Sequence, residues 1–331
     1  MSASTIQLTP SAHTMTSVTT PDSMGQLLAR FPELTTTVPK EFVHRAAVAE
    51  VLLTGWARRD DERFGVTAQW PRCHSYFTQV DGHHDPLIVA ETIRQIGALL
   101  AHTEFDVPLD QKFLMWDLRL TVVPEHLKVS GAPANIDIDV TCVEVRRRGP
   151  ALAKLRYETV LRRDGQVVAT GGASYTCASP QAYERLRRNR PHSDRPPLAL
   201  TAPVPPQHVG RTSPTDVVLS PIGEENCWQL RADTRHPVLF DHPQDHIPGM
   251  VLIEAARQAA HLLLGRESVL PVTMVSEFSR YAELDAPCLI RAEALPAEGN
   301  APVSVLVTGE QEGEPVFSTT VLVDPVGRRL G

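Results

Sequence analysis

Two long segments are apolar at nearly every position, and both are predicted to be helices. The first starts at Pro86, a residue favoured at the first helical position, and follows Asp85, a good N-cap. The second runs from Met250 to Leu264 and meets Gly265, a plausible stop. A helix that is apolar on every side is normally wrapped by other structure. Each segment is therefore expected at the centre of a folded unit.

The residues after each helix alternate between apolar and polar, which predicts strands. In the first unit Ile136, Ile138 and Val140 share one face, and a hairpin turn is predicted at Asp164-Gly165. A second hairpin is predicted at Glu312-Gly313. One buried helix wrapped by an antiparallel sheet, present twice, is the hotdog architecture. The predicted fold class is α+β, a tandem double hotdog.

A repeated motif supports this duplication. Glu91, Arg94 and Gln95 on the first helix recur as Glu254, Arg257 and Gln258 on the second, at one offset of 254 − 91 = 163 residues. Upstream, the segment from His74 to Phe77 corresponds to the segment from His236 to Phe240. Copies of this length indicate paired domains and exclude a solenoid of short repeats.

Composition changes divide the chain into four parts. Residues 1–39 are rich in Ser, Thr and Pro and are predicted to be mostly disordered. Residues 40–178 form the first predicted hotdog domain and residues 208–326 the second. Residues 179–207 are a Pro- and Arg-rich linker, in which a short helix could run from Pro180 to Arg190.

Charge and cysteine usage exclude several classes of partner. The net charge of −7 and the pI near 6.0 argue against nucleic acid as the main partner. The five cysteines are scattered without a Cys-x-x-Cys pair, so no metal site or disulfide framework is expected. No signal peptide or membrane-spanning run is recognised, and a cytoplasmic protein is expected.

The Glu, Arg and Gln of each helix stand at positions i, i+3 and i+4 and share one face. A buried carboxylate and guanidinium are costly unless they are paired. Such a pair could simply fix how the halves dock, or it could be functional; the motif alone leaves both open.

The segment from His236 to Gln258, with Pro248-Gly249 before Glu254, resembles the hydroxyacyl-carrier dehydratase signature. In that family a turn histidine and the helix glutamate of the partner hotdog form the active site. Here the distance from His236 to Glu254 is longer, and Arg257 stands where the dehydratases have an uncharged residue. Dehydration is therefore not the first expectation.

A second resemblance, to the A-factor biosynthesis hotdog family, extends from about Phe42 to Val323. It rests on His84-Asp-Pro-Leu-Ile-Val-Ala-Glu, on Asp233-Thr-Arg-His-Pro-x-Leu-Phe240, and on His246-x-Pro-Gly-Met-x-Leu-x-Glu-Ala-Ala-Arg-Gln258. The resemblance implies transfer of a β-ketoacyl group from acyl carrier protein to the hydroxyl of dihydroxyacetone phosphate. It implies no cofactor beyond the phosphopantetheine of the carrier, and a homodimer is possible.

Acyl transfer needs a base, an oxyanion site and a hold on the acceptor. Glu254 is the first choice for the base, because burial would raise its pKa. The Gly249 and Met250 N–H groups suit the oxyanion, and Arg257 suits the phosphate. Further predicted substrate-binding residues are Arg94, Gln95, Gln258, His84 and His246.

Two sites are possible, since hotdog sites combine the turn of one domain with the helix of the other: His74 with Glu254, and His236 with Glu91. Pro248-Gly249 favours a site at the second helix, with Glu254 and Arg257. For each histidine a structural role in its turn is equally compatible with the sequence. The open alternatives for the whole chain are a thioesterase or dehydratase, and a noncatalytic acyl-ligand sensor.

Overall fold

The computed structural model describes residues 22–31, 33–188, 196–266, 268–296 and 302–323. The chain divides into two compact units, residues 1–36 and residues 37–331. The first unit contains helix α1 (Asp22–Arg30). Within residues 1–39, which were predicted to be mostly disordered, α1 is the helix that the structure describes, and its residues 26–30 are mostly good helix formers. Residues 1–21 lie outside the described part of the chain.

The second unit contains both predicted repeats. The first repeat consists of β1 (Leu53–Arg58), β2 (Arg63–Trp70), α2 (Pro86–Glu104), β3 (Lys112–Val122), β4 (Ala134–Arg148), β5 (Ala151–Arg163) and β6 (Gln166–Ala178). Helix α3 (Pro180–Arg187) follows. The second repeat consists of β7 (Leu219–Pro221), β8 (Cys227–Leu230), α4 (Gly249–Leu264), β9 (Pro271–Phe278), β10 (Cys288–Ala294), β11 (Val303–Gln311) and β12 (Glu314–Val323).

The twelve strands of the described ranges form one antiparallel sheet with a mirrored order. It runs β1-β2-β4-β5-β6-β3 in the first half and β9-β12-β11-β10-β8-β7 in the second. Strands β3 and β9 join the halves through an antiparallel ladder centred on Arg119 and Val275. Each strand of one half therefore has a counterpart in the other, and the predicted double hotdog is confirmed.

Local sequence signals position the two central helices as predicted. The Asp85 carboxylate accepts a hydrogen bond of 2.9 Å from the Leu87 N–H and caps α2. Gly265 ends α4 in the left-handed region, with φ of 57°. Both hairpin turns also have positive φ at their two central residues, which matches a type I′ turn. The helices α2 and α4 are buried along most of their length.

The predicted short helix in the linker is confirmed as α3, which Ser179 caps through the Ala182 N–H. Residues 189–195 of the linker lie outside the described residues. None of the described helices is both long and apolar enough to cross a membrane.

Candidate active site

Glu91 on α2 is enclosed by hydrogen-bond donors. Arg45 reaches its carboxylate at 2.5 and 2.9 Å, and Arg94 at 2.8 and 2.9 Å. Gln95 donates to it at 2.7 Å and also bonds the backbone of Glu50 and Leu52. Two guanidinium groups thus meet one carboxylate in this cluster.

Glu254 on α4 has the same surroundings from the second half. Arg211 contacts its carboxylate at 2.9 and 3.0 Å, and Arg257 at 2.5 and 2.9 Å. Gln258 donates to Glu254 and bonds the backbone of Asp216 and Val218. The predicted face position of these helix residues is confirmed, and each helix also receives an arginine from outside its motif.

These arginines lower the pKa values of both glutamates, whereas burial alone would raise them. Burial opposes ionisation of Glu254, but the charges of Arg211 and Arg257 outweigh it and lower the pKa to about 2. Arg45 and Arg94 lower the pKa of Glu91 to about 2 in the same way, against the effect of burial. The expectation that burial raises the pKa of Glu254 is wrong, and neither carboxylate is suited to be a general base at neutral pH.

His74 and His236 organise their own turns. The His74 Nδ1 accepts from the Tyr76 and Phe77 N–H groups at 3.1 and 3.2 Å. The His236 Nδ1 accepts likewise from Val238 and Leu239. Because each Nδ1 is an acceptor, the proton is assigned to Nε2, which lies 3.5 Å from Glu50 in His74 and 3.1 Å from Asp216 in His236.

The two turns pack crosswise onto the opposite halves. Arg211 donates at 2.5 Å to the carbonyl of Tyr76, and Arg45 donates at 3.1 Å to the carbonyl of Val238. The turn of His74 therefore lies over the Glu254 cluster, and the turn of His236 over the Glu91 cluster. This crosswise arrangement agrees with the pairs expected from the sequence.

A cavity of about 1040 Å³ opens on only one of these clusters among the described residues. Its lining includes five of the predicted site residues, Glu91, Arg94, His246, Gly249 and Met250. The other predicted residues lie outside it: His74, His84, Gln95, His236, Glu254, Arg257 and Gln258. The start of α4 thus shares its cavity with Glu91 and Arg94. Glu254 and Arg257, which were predicted to share a site with the start of α4, lie outside this cavity.

Two differences between the repeats explain why the Glu254 side is closed. Tyr76 fills the space there, since its ring lies 4.2 Å from the Arg211 guanidinium, whereas the equivalent position over Arg45 is the smaller Val238. Asp85 adds a second carboxyl group 3.9 Å from Arg211. The equivalent residue before α4 is Pro248, 248 − 85 = 163 residues later.

Because Pro248 stands before α4 where Asp85 stands before α2, the start of α4 is left open. Asp85 caps α2, but no side chain caps α4, and Gly249 and Met250 line the cavity. The first N–H groups of a helix have no partner within it and carry the positive end of the helix dipole. They can therefore stabilise a developing negative charge on a carbonyl oxygen, as expected from the sequence.

Sequence reasoning missed Arg45 and Arg211, which complete the two clusters. Both follow a buried valine, in Val43-x-Arg45 and Val209-x-Arg211, at a shared offset of 211 − 45 = 166 residues. This repeat of an apolar residue and an arginine is the signal that could have identified them. No group of three or more His, Cys, Asp or Glu residues in the described ranges is placed to hold a metal ion.

The fold and the lining residues define a double hotdog protein with a large cavity between its halves. The A-factor biosynthesis hotdog domain matches residues 28–179 and again residues 192–327, and the chain belongs to this family. It is 56% identical over 290 residues to a 2-oxo-3-(phosphooxy)propyl 3-oxoalkanoate synthase of Streptomyces virginiae, covering 87% of this chain and 98% of that protein.

The chain is also similar to further proteins at lower sequence identity. The synthase of the same name from Streptomyces griseus is 42% identical over 282 residues, 85% of this chain and 93% of that one. Among solved structures, a putative oleoyl thioesterase from Lactobacillus plantarum has a TM-score of 0.49 and 14% identity, covering 78% of this chain and 94% of that chain. The 12:0-ACP thioesterase from Umbellularia californica has a TM-score of 0.48 and 10% identity, covering 81% and 99%.

Proposed function

We propose that this protein is an acyltransferase that moves a β-ketoacyl group from the thioester of an acyl carrier protein to the hydroxyl of dihydroxyacetone phosphate. The names of its curated relatives describe the synthesis of such a phosphorylated ester. The observation that carries the proposal is the cavity, in which the open start of α4 faces the two arginines of the Glu91 cluster.

The thioester end of the substrate fits the start of α4. Its carbonyl oxygen can accept hydrogen bonds from the Gly249 and Met250 N–H groups, where the helix dipole also favours negative charge. The remaining cavity wall supplies apolar side chains for an acyl chain, namely Ala98, Phe113, Met115, Leu252 and Ile253. A carbonyl site beside an apolar wall suits a fatty thioester.

The phosphate of the acceptor fits Arg94. Its side chain is 19% exposed and lines the cavity, whereas that of Arg257 is 3% exposed and does not. In this cluster two guanidinium groups, of Arg45 and Arg94, meet the single carboxylate of Glu91, and the Asp241 carboxylate also acts on Arg94. A guanidinium that is already oriented by a carboxylate binds phosphate with little loss of side-chain freedom.

Transfer can be tested with purified protein, a β-ketoacyl carrier protein and dihydroxyacetone phosphate. We expect mass spectrometry to find the phosphorylated ester and a stoichiometric amount of free carrier thiol. Dihydroxyacetone without phosphate is the matched control acceptor and should react far more slowly. Release of free acid alone would show a thioesterase, and binding without turnover would show an acyl-ligand sensor; either result overturns the proposal.

Docking of the proposed carrier protein and pairing with a second copy of the chain, which the sequence left possible, are tested separately. Among the residues that line the cavity are the basic, exposed Lys112 and Arg280 and the exposed Trp116. Basic residues around an apolar contact suit an acidic carrier. Competition by carrier protein without an acyl group tests this docking, and sedimentation equilibrium tests the homodimer.

A further inference from the structure

A histidine on the loop before α4 is oriented by a neighbouring aspartate and faces the cavity. The His246 Nδ1 lies 2.6 Å from a carboxylate oxygen of Asp245. A carboxylate accepts hydrogen bonds, so Nδ1 carries the proton and Nε2 is the basic nitrogen of the neutral ring. The His246 side chain is 24% exposed and lines the cavity.

Helix α3 holds the aspartate in place. The Tyr183 hydroxyl donates to both carboxylate oxygens of Asp245, at 2.7 and 2.8 Å. Arg187 donates at 3.2 Å to the backbone carbonyl of the same residue. Burial opposes ionisation of Asp245, but the hydrogen bonds from His246 and Tyr183 help to lower its pKa well below the usual range. The aspartate therefore stays charged and keeps the imidazole in one tautomer.

The position of His246 suits proton transfer at the thioester. It lies three residues before Gly249, and the two residues line the same cavity. Its ring is held edge-on against Tyr281, with 4.6 Å between the ring centroids. In the part of the chain that the structure describes, no hydrogen bond to the His246 Nε2 is found, so this nitrogen is available to a ligand.

Other groups at the cavity fit this role less well. The carboxylate of Glu91 is occupied by Arg45, Arg94 and Gln95. The Nε2 of His242 faces Gln244, and its Nδ1 lies 3.4 Å from Asp241.

Resting on the proposed acyl transfer, we infer that His246, oriented by Asp245, is the general base for the acceptor hydroxyl. Nε2 takes the hydroxyl proton as the oxygen forms a bond to the thioester carbon, and the N–H groups at the start of α4 hold the resulting oxyanion. When the carbon–sulfur bond breaks, the imidazolium returns the proton to the thiolate, so an ester and a free thiol leave. Tyr183 is a positioning residue, because it acts through Asp245.

The test measures thioester consumption and product by the full-length protein and its variants, with circular dichroism as the check of folding. His246→Ala should lower kcat on the order of a hundredfold or more, the scale for loss of a general base. Added imidazole should restore part of this activity, which a merely structural histidine would not allow. His242→Ala, on the same loop, is the matched control and should keep kcat and show no rescue. Tyr183→Phe should lower kcat with little change in KM, and imidazole should not rescue it.

The outcomes separate this inference from the proposed function. A folded His246→Ala protein with near-normal kcat, or with no response to imidazole, overturns the role of His246. If the wild type cleaves the thioester only with water or another alcohol, the proposed acceptor is wrong, and the same variants decide the role of His246 on that reaction. A wild type that consumes no thioester with any hydroxyl overturns both.

Discussion

Replacing Gly249 by alanine should raise stability and lower activity. Gly249 is not among the residues with positive φ, so alanine can adopt its backbone conformation. The added Cβ would meet the Phe278 ring at 3.4 and 3.5 Å, which is ordinary van der Waals contact. Gly to Ala at a compatible position stabilises a protein by about 0.4–1 kcal/mol, largely by restricting the unfolded chain. The variant should therefore melt slightly higher than the wild type.

The same methyl group would stand where we place the thioester carbonyl. Loss of one oxyanion donor costs roughly a hundred- to a thousandfold in kcat. Here the N–H groups remain and the carbonyl is only held away, so we expect kcat/KM for the thioester to fall by roughly tenfold to a hundredfold, or about 1.4–2.8 kcal/mol. KM for dihydroxyacetone phosphate should change little, because Arg94 is untouched.

Kinetics of carrier-thiol release and differential scanning calorimetry measure the two effects. Gly131→Ala is the control, since nothing lies within 4 Å of its added Cβ and its φ is not positive. A stable Gly249→Ala variant with unchanged kcat/KM would refute the placement of the carbonyl at the start of α4.

Four further results are expected. Arg94→Gln should raise KM for dihydroxyacetone phosphate by roughly tenfold to a hundredfold, as for a lost charge-assisted hydrogen bond of about 1.5–3 kcal/mol. KM for unphosphorylated dihydroxyacetone should stay the same. Equal changes for both acceptors would exclude a contact between Arg94 and the phosphate. Arg257→Gln should lower the free energy of unfolding by about 3–5 kcal/mol in denaturant titrations, because it leaves buried Glu254 short of a partner. A stable variant with a defect only in KM for the acceptor would instead support the phosphate-binding role expected from the sequence. Val238→Tyr should fill the cavity as Tyr76 does on the other side and abolish transfer, and full turnover by this variant would place the reaction elsewhere. The pKa values of Glu91 and Glu254 are lowered to about 2 from an ordinary value of 4.5. Their contribution to stability should therefore be complete above about pH 4.5 and be lost as the pH falls toward 2. Melting temperatures that stay constant across that range would contradict the ion pairs of the two clusters.

The helices, the hairpin turns and their ends could be predicted from the sequence because they depend on local signals. Asp85, Gly265 and the turn at Asp164-Gly165 each mark the end of an element through backbone preferences that act within a few residues. Duplication then predicted the second half from the first. The buried face of each helix could also be predicted, since positions i, i+3 and i+4 lie together whatever surrounds them.

The arrangement of the site depends on contacts between distant segments, and there the prediction was incomplete. The pKa of Glu254 was misjudged because Arg211, 43 residues earlier, could not be placed beside it. Which glutamate faces the cavity depends on how Tyr76 and Val238 pack across the two halves. The partnership of Tyr183 with Asp245 joins the predicted linker to the loop before α4, over 62 residues.

The fusion of two copies in one chain allows the two helix starts to differ. In a symmetric dimer of single hotdog subunits, every substitution is present at both sites, so an aspartate that closes one would close the other. Here Asp85 and Tyr76 fill the position at the Glu254 cluster with side chains that contact Arg211. At the Glu91 cluster, Pro248 and Val238 leave the equivalent position open to the cavity. The molecule can thus keep one of the two related positions closed and the other open to a ligand, although residues of both repeats contribute to each.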